Sequence, residues 1–152
     1  MTLVSPKDQV FPLLCPEREC DWVDGWEYDM IHSKSGYAEP GCIFRSRLPY
    51  EGECVWIMTD YVPDQYIKII KICPGLFLLE WSFNLKEHSV REDDVETSRT
   101  DLTMMYTMTG LSSEGNEFVA TAIDQTVPPM MDWLEKSLNH YLITKHKLSA
   151  SR

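Results

Sequence analysis

Four histidines, at positions 32, 88, 140 and 146, are the side chains best suited to carry a proton near neutral pH. His140 stands between Asn139 and Tyr141, beside a helical apolar stripe, where it could act as a general base or orient a ligand carbonyl. His32 shares the parity of Trp26, Tyr28 and Met30, which turns it inward near a strand end. His88 and His146 fall in a charged stretch and a basic tail and read as solvated. Tyr106 completes the candidate acid–base set, with the hydroxyl of Tyr28 or Tyr141 as a stabiliser of an enol or oxyanion. Each also has an ordinary structural role open to it, as a helix-edge histidine, a strand-end histidine or a core ring.

Carboxylates add little to that set. Glu80 has the opposite parity to Phe77, Leu79 and Trp81, and Glu27, Asp29 and Asp101 are expected to face outward in the same way. Arg45 and Arg47 also read outward. Alternation therefore removes most charges from any pocket. Arg18 and Glu19, with Asp21 and Trp22, suit a local ion pair and packing unit at a cavity mouth. There is no GxSxG nucleophile turn and no glycine-rich phosphate loop.

The cysteines, at 15, 20, 42, 54 and 73, are odd in number and form no CxxC pair, and with scattered histidines they give no zinc spacing. They are expected to be reduced, buried small hydrophobes, with no metal and no cofactor. A hairpin centred between Tyr50 and Glu51 would pair residues whose numbers sum to about 101, so Cys42 and Cys54 would not meet.

The elements that must position these residues follow from periodicity. Ser5-Pro6 is a helix-start signal for a segment carrying Val10, Phe11 and Leu14, and Pro16 opens a second short helix toward Trp22. Period-two alternation then runs from Trp26 to His32, from Cys42 to Leu48, from Cys54 to Tyr61 and from Tyr66 to Cys73. Pro74-Gly75 suits a type II turn, and Leu76–Leu85 and Leu102–Met108 are the last strands. The stretch between Lys86 and Thr97 reads as a charged loop without a core face. Ser112-Ser113-Glu114 opens a short helix, and Pro128-Pro129 starts a longer one with Met130, Leu134, Leu138, Tyr141 and Leu142 on one stripe.

The expected fold is α+β: a curved antiparallel sheet of about seven strands around a long C-terminal helix, with two short helices after the first strand. Residues 1–148 read as one domain and 149–152 as a tail. With 152 residues the chain can bury a core without staples. A net charge of −10 repels phosphate backbones, and the small basic group Lys145, His146, Lys147 and Arg152 does not reverse this. Nucleic acid is excluded as a partner on that ground, and the lack of a long apolar run excludes an integral membrane protein. The N-terminus shows no basic-then-apolar leader. The expected compartment is the cytoplasm, and the expected state a monomer or weak homodimer.

Local strings add a resemblance. Cys15-Pro16-Glu17-Arg18-Glu19, followed by Asp21-Trp22-Val23 and Gly25-Trp26, and the run Ser35-Gly36-Tyr37-Ala38-Glu39-Pro40-Gly41-Cys42-Ile43-Phe44 carry it first. Leu111-Ser112-Ser113-Glu114-Gly115-Asn116 and Leu138-Asn139-His140-Tyr141-Leu142 carry it at the C-terminal end. Together they resemble the START-like helix-grip (SRPBCC) superfamily, in particular its small bacterial polyketide cyclase/dehydrase-like, lipid-transport members. The resemblance runs from about Val4 to Leu142. It implies an apolar ligand, lipid or polyketide-like, held between sheet and helix, and carries no catalytic signature onto this chain.

A single helix over an extensive sheet leaves a space to fill, and eight Met with 17 aromatics supply adaptable walls. The expected lining is Tyr28, Met30 and Phe44 from the early strands, then Trp81, Phe83, Met104, Tyr106 and Met108 from the late ones. Met130, Leu134, Leu138 and Tyr141 would contribute from the helix, with Met131 beside them. Which face of strands 54–61 and 66–73 joins them stays open. The expected function is non-catalytic binding of a small hydrophobic ligand. The alternatives are a cyclase or dehydratase using cavity His and Tyr, and a ligand-free interaction module.

Overall fold

The computed structural model describes residues 1–49 and 51–149. The expected residue Tyr50 at the hairpin centre and residues 150–152 of the expected tail lie outside this range. Seven strands form one sheet: β1 (Thr2–Leu3), β2 (Tyr28–His32), β3 (Ile43–Leu48), β4 (Gly52–Val62), β5 (Tyr66–Cys73), β6 (Phe77–Glu92) and β7 (Val95–Gly110). Their order is β1-β7-β6-β5-β4-β3-β2, an antiparallel meander whose first strand closes onto the last. Between β1 and β2 lie α1 (Lys7–Val10), a 3₁₀ turn (Phe11–Leu14) and α2 (Pro16–Trp22). Pro6, rather than Ser5, is the cap of α1.

Alternation decides which residues face the core. In β5, Ile67, Ile69, Lys71 and Cys73 are buried, while Tyr66, Lys68, Ile70 and Ile72 are half-buried on the other face. In β4, Cys54, Trp56 and Met58 are inward. Phe44 stacks on Trp56 with centroids 5.6 Å apart, and Trp26 meets Trp56 edge-on at 5.9 Å. Charges expected to face outward do so and pair across strands: Arg45 with Asp29 at 3.0 Å, Arg47 with Glu53 at 3.0 Å, and Glu80 with Lys68 at 3.3 Å.

Three expectations change. The stretch after Lys86 is not a loop. Strands β6 and β7 run 16 residues each and continue as a ribbon to a turn at Asp93-Asp94, both at positive φ. Two left-handed residues in succession form the tight hairpin turn whose twist matches paired strands, and aspartate tolerates that region. The ribbon buries little on either face, which is why it carries no apolar alternation.

The C-terminal helices also merge. α3 (Ser113–Thr121) passes through a π-helical turn (Ala122–Thr126) into α4 (Val127–Thr144), with helical backbone at every junction. Pro128 and Pro129 lack amide hydrogens, and their rings would crowd the carbonyls four residues back. The wider π turn lies immediately before them, so the prolines mark a defect within one helix and not the start of a second. Ser112 caps the whole unit, its hydroxyl accepting from the Gly115 amide at 3.0 Å and donating to the Gly75 carbonyl at 2.7 Å.

The third change concerns the cysteines. Cys54 and Cys73 form a disulfide across β4 and β5, with Cα atoms 4.3 Å apart. The Val55↔Ile72 pairing continues to place them directly opposite, at the narrow spacing of a non-hydrogen-bonded antiparallel pair. The β3–β4 register is also one residue from that expected. Ser46 faces Cys54, so paired numbers sum to 100, and Met58 exchanges hydrogen bonds with the Gly41–Cys42 segment. Cys15 and Cys42 are free and buried, and Cys20 is free and half-buried. No helix among the described residues is long and apolar enough to cross a membrane.

Candidate functional site

A cavity of about 280 Å³ lies between the concave sheet face and the long helix. Phe44, Trp56, Ile69, Phe77, Leu79, Trp81, Phe83, Tyr106 and Met108 form its sheet wall. Phe118, Ala122, Thr126, Val127, Met130, Met131, Trp133 and Leu134 form its helix wall, so the π turn opens directly onto it. Leu14, Pro16, Glu19 and the Val23–Trp26 segment close one side. The walls are predominantly apolar, and the volume sits near the lower end of small-molecule sites, about 300 Å³.

Of the residues expected to line this space, Phe44, Trp81, Phe83, Tyr106, Met108, Met130 and Leu134 do so. Tyr28, Met30, Met104, Leu138 and Tyr141 do not line it, and Tyr28 borders an open depression on β2 and β3. All five pack in the core cluster that also holds Leu3, Trp22 and Leu142. Leu138 is fully packed there, and the neighbouring Ser137 donates to the Trp22 carbonyl at 2.7 Å. Those contacts fix the C-terminal half of α4 against α2, so the space opens only toward its N-terminal half.

Neither candidate histidine lines the cavity. The β2–β3 register shifts between Met30 and His32, and this bulge takes His32 off the inward parity to an exposed strand end. His140 is half-buried on α4, between the packed Leu138 and Leu142.

Four charged residues line the cavity, where alternation was expected to remove most charges: Lys71, Glu51, Glu19 and Asp24. Lys71 sits on the buried face of β5, its side chain 4% exposed, and its ammonium pairs with Glu51. The same Nζ lies 4.6 Å from the Trp56 ring centre and 5.3 Å from that of Phe77, a geometry in which ring faces stabilise a cation. Burial holds this amine below the ordinary lysine range, and the Glu51 carboxylate partly restores it. Glu19 is half-buried on α2, where burial, reinforced by the charge of Glu17, pushes its carboxyl up to about 8. At neutral pH it is therefore largely a neutral acid able to donate a hydrogen bond. The indole N–H of Trp81 is buried with no hydrogen-bond partner among the described residues.

Lys71 was hidden because β5 carries isoleucine on both faces, so neither parity looked polar. The signal available was Cys73, which shares the parity of Ile67, Ile69 and Lys71. Arg18 and Asp21 form the expected local ion pair at 2.7 Å, and the Trp22 indole donates to the Leu13 carbonyl at 2.7 Å. A separate open depression of about 570 Å³ on β2 and β3 is lined by Glu27, Asp29, Arg45, Arg47 and Glu53. Its charges are largely paired with one another, and it encloses nothing.

The architecture is a helix-grip fold. It is similar to a Rhodobacter sphaeroides protein structure, with a TM-score of 0.58 and 11% identity over 95% of this chain and 89% of that one. A Rhizobium loti protein, Mll3558, matches with a TM-score of 0.53 and 20% identity over 91% and 92%. DynU16, a protein of the dynemicin biosynthetic locus, matches with a TM-score of 0.53 and 15% identity over 96% of this chain. The present chain spans about half of DynU16, 46% of its length. No family model matches the sequence, and no curated protein matches it.

Proposed function

We propose that this protein binds a small hydrophobic molecule, lipid or polyketide-like, in the cavity between the sheet and the N-terminal half of the long helix, and holds it without chemical change. The observation that carries this reading is the cavity itself: about 280 Å³ walled by aromatic and methionine side chains that do not fill it. A packed core would close such a space, because interiors approach crystal-like density. The kinship with small bacterial polyketide cyclase/dehydrase-like proteins is part of the same proposal.

Gently purified protein, extracted with organic solvent and compared with a denatured-protein blank by mass spectrometry, is expected to release a stoichiometric apolar compound. Met108→Lys places a charge in the wall at a half-buried position and is expected to abolish retention while the fold persists. Retention equal to wild type in that variant contradicts the proposal. A cyclase or dehydratase is the second reading, favoured by one observation: a neutral acid and a lysine share one apolar cavity. It expects turnover of a polycarbonyl substrate that falls in Glu19→Gln, and turnover unaffected by that change excludes Glu19 as its acid.

A further inference from the structure

Among the described residues, the hydrogen bond made by the Lys71 ammonium is the one to Glu51. An ammonium has three N–H donors, so two remain, and they sit in an apolar cavity 4% open to solvent at that side chain. An unspent donor on a buried cation is costly unless something accepts from it. Trp81, in the same wall, holds a second unpartnered N–H. Lys71 and Trp81 thus both present N–H donors in this wall that a ligand acceptor could satisfy.

The charge of that acceptor follows from Glu51. The charge of Lys71 is already balanced by the Glu51 carboxylate, and the faces of Trp56 and Phe77 stabilise the ammonium without adding charge. A ligand carboxylate would bring a second negative charge against a pair whose net charge is zero, in a water-poor site where an uncompensated charge is expensive. A ketone, aldehyde, ester or hydroxyl oxygen accepts the hydrogen bond and adds no charge.

Resting on the reading of this cavity as a ligand site, we infer that Lys71 is its polar anchor and selects apolar ligands that end in an uncharged oxygen acceptor, with Glu51 serving to exclude carboxylates. The test uses three probes of equal carbon number, methyl nonyl ketone, undecane and undecanoate, each displacing Nile red from the intact protein. Each probe is compared with itself across variants, so differences in water solubility cancel.

In Lys71→Met/Glu51→Gln, which removes the pair together and leaves no buried lone charge, the ketone is expected to weaken about tenfold, the effect of one charge-assisted hydrogen bond. Undecane should change by less than about twofold, since the apolar walls are intact. In Glu51→Gln the ammonium loses its counter-charge, and undecanoate should gain about tenfold or more. Circular dichroism and a denaturant midpoint verify that each variant folds. Ketone affinity unchanged in the double variant, or no gain for undecanoate in Glu51→Gln, overturns the anchor while leaving the cavity reading standing. Failure of all three probes to displace Nile red from wild type overturns both.

Discussion

Desolvation is the main force on Glu19, and it has a measurable consequence for stability. Its carboxyl is raised from an ordinary 4.5 to about 8, so between those values the folded chain holds a proton that the unfolded chain has released. Stability contributed by this group is therefore full below about pH 4.5 and declines as pH rises toward 8. Glu19→Gln removes that slope and should stabilise the protein at alkaline pH, on the order of 2 kcal/mol at pH 9. Chemical denaturation of both proteins at acid and alkaline pH checks it: a wild-type midpoint that rises with pH relative to Glu19→Gln contradicts the assignment. At this scale the inward parity of Phe44, Trp81, Phe83, Tyr106 and Met108 was legible, because each lies on a strand with an outward polar partner set. His32 was not, since a bulge leaves no mark in the sequence beside it. Lys71 was not, since isoleucine occupies both faces of β5.

Two elements depend on close contacts that substitution should expose. Gly115, in the first turn of α3, lies against the turn that joins β5 to β6, and an added Cβ would meet the Leu76 carbonyl oxygen at 1.8 Å. Gly115→Ala therefore has to push the helix off this turn and is expected to cost about 1–3 kcal/mol, measured as a shifted denaturant midpoint. A neutral outcome would mean that the helix start is not seated there. The β4–β5 disulfide closes a separation of 19 residues, and its loss in Cys54→Ser/Cys73→Ser should lower stability by about 3 kcal/mol. Reductant should lower the wild-type midpoint and leave that variant unaffected. Most strand and turn positions were legible from period-two alternation and from Pro74-Gly75. The disulfide was not, because cysteines 19 apart pair only once the β4–β5 register is known. It also withdraws the thiol-based reason for expecting a cytoplasmic protein. The ribbon beyond Lys86 was missed because a hairpin with two exposed faces has no hydrophobic period to read.

At the scale of the molecule, one helix must cover a seven-stranded sheet. The C-terminal half of α4 succeeds by packing Leu138 and Leu142 into the core with Trp22 and Leu3. Its N-terminal half carries Val127, Met130, Met131 and Leu134 along a space left unfilled beside the π turn and the two prolines. The existence of such a space followed from counting sheet against helix, but its position did not, because periodicity shows the apolar stripe without showing where packing lifts away. Binding here should remove apolar surface from water on both partners, and that has a thermodynamic signature independent of ligand identity. Titration calorimetry of methyl nonyl ketone at two or more temperatures reads it directly. The account predicts saturation at one ligand per chain with a negative heat-capacity change, lost in a folded Met108→Lys. Saturation that is identical in Met108→Lys, or no saturable binding at all in wild type, would contradict it.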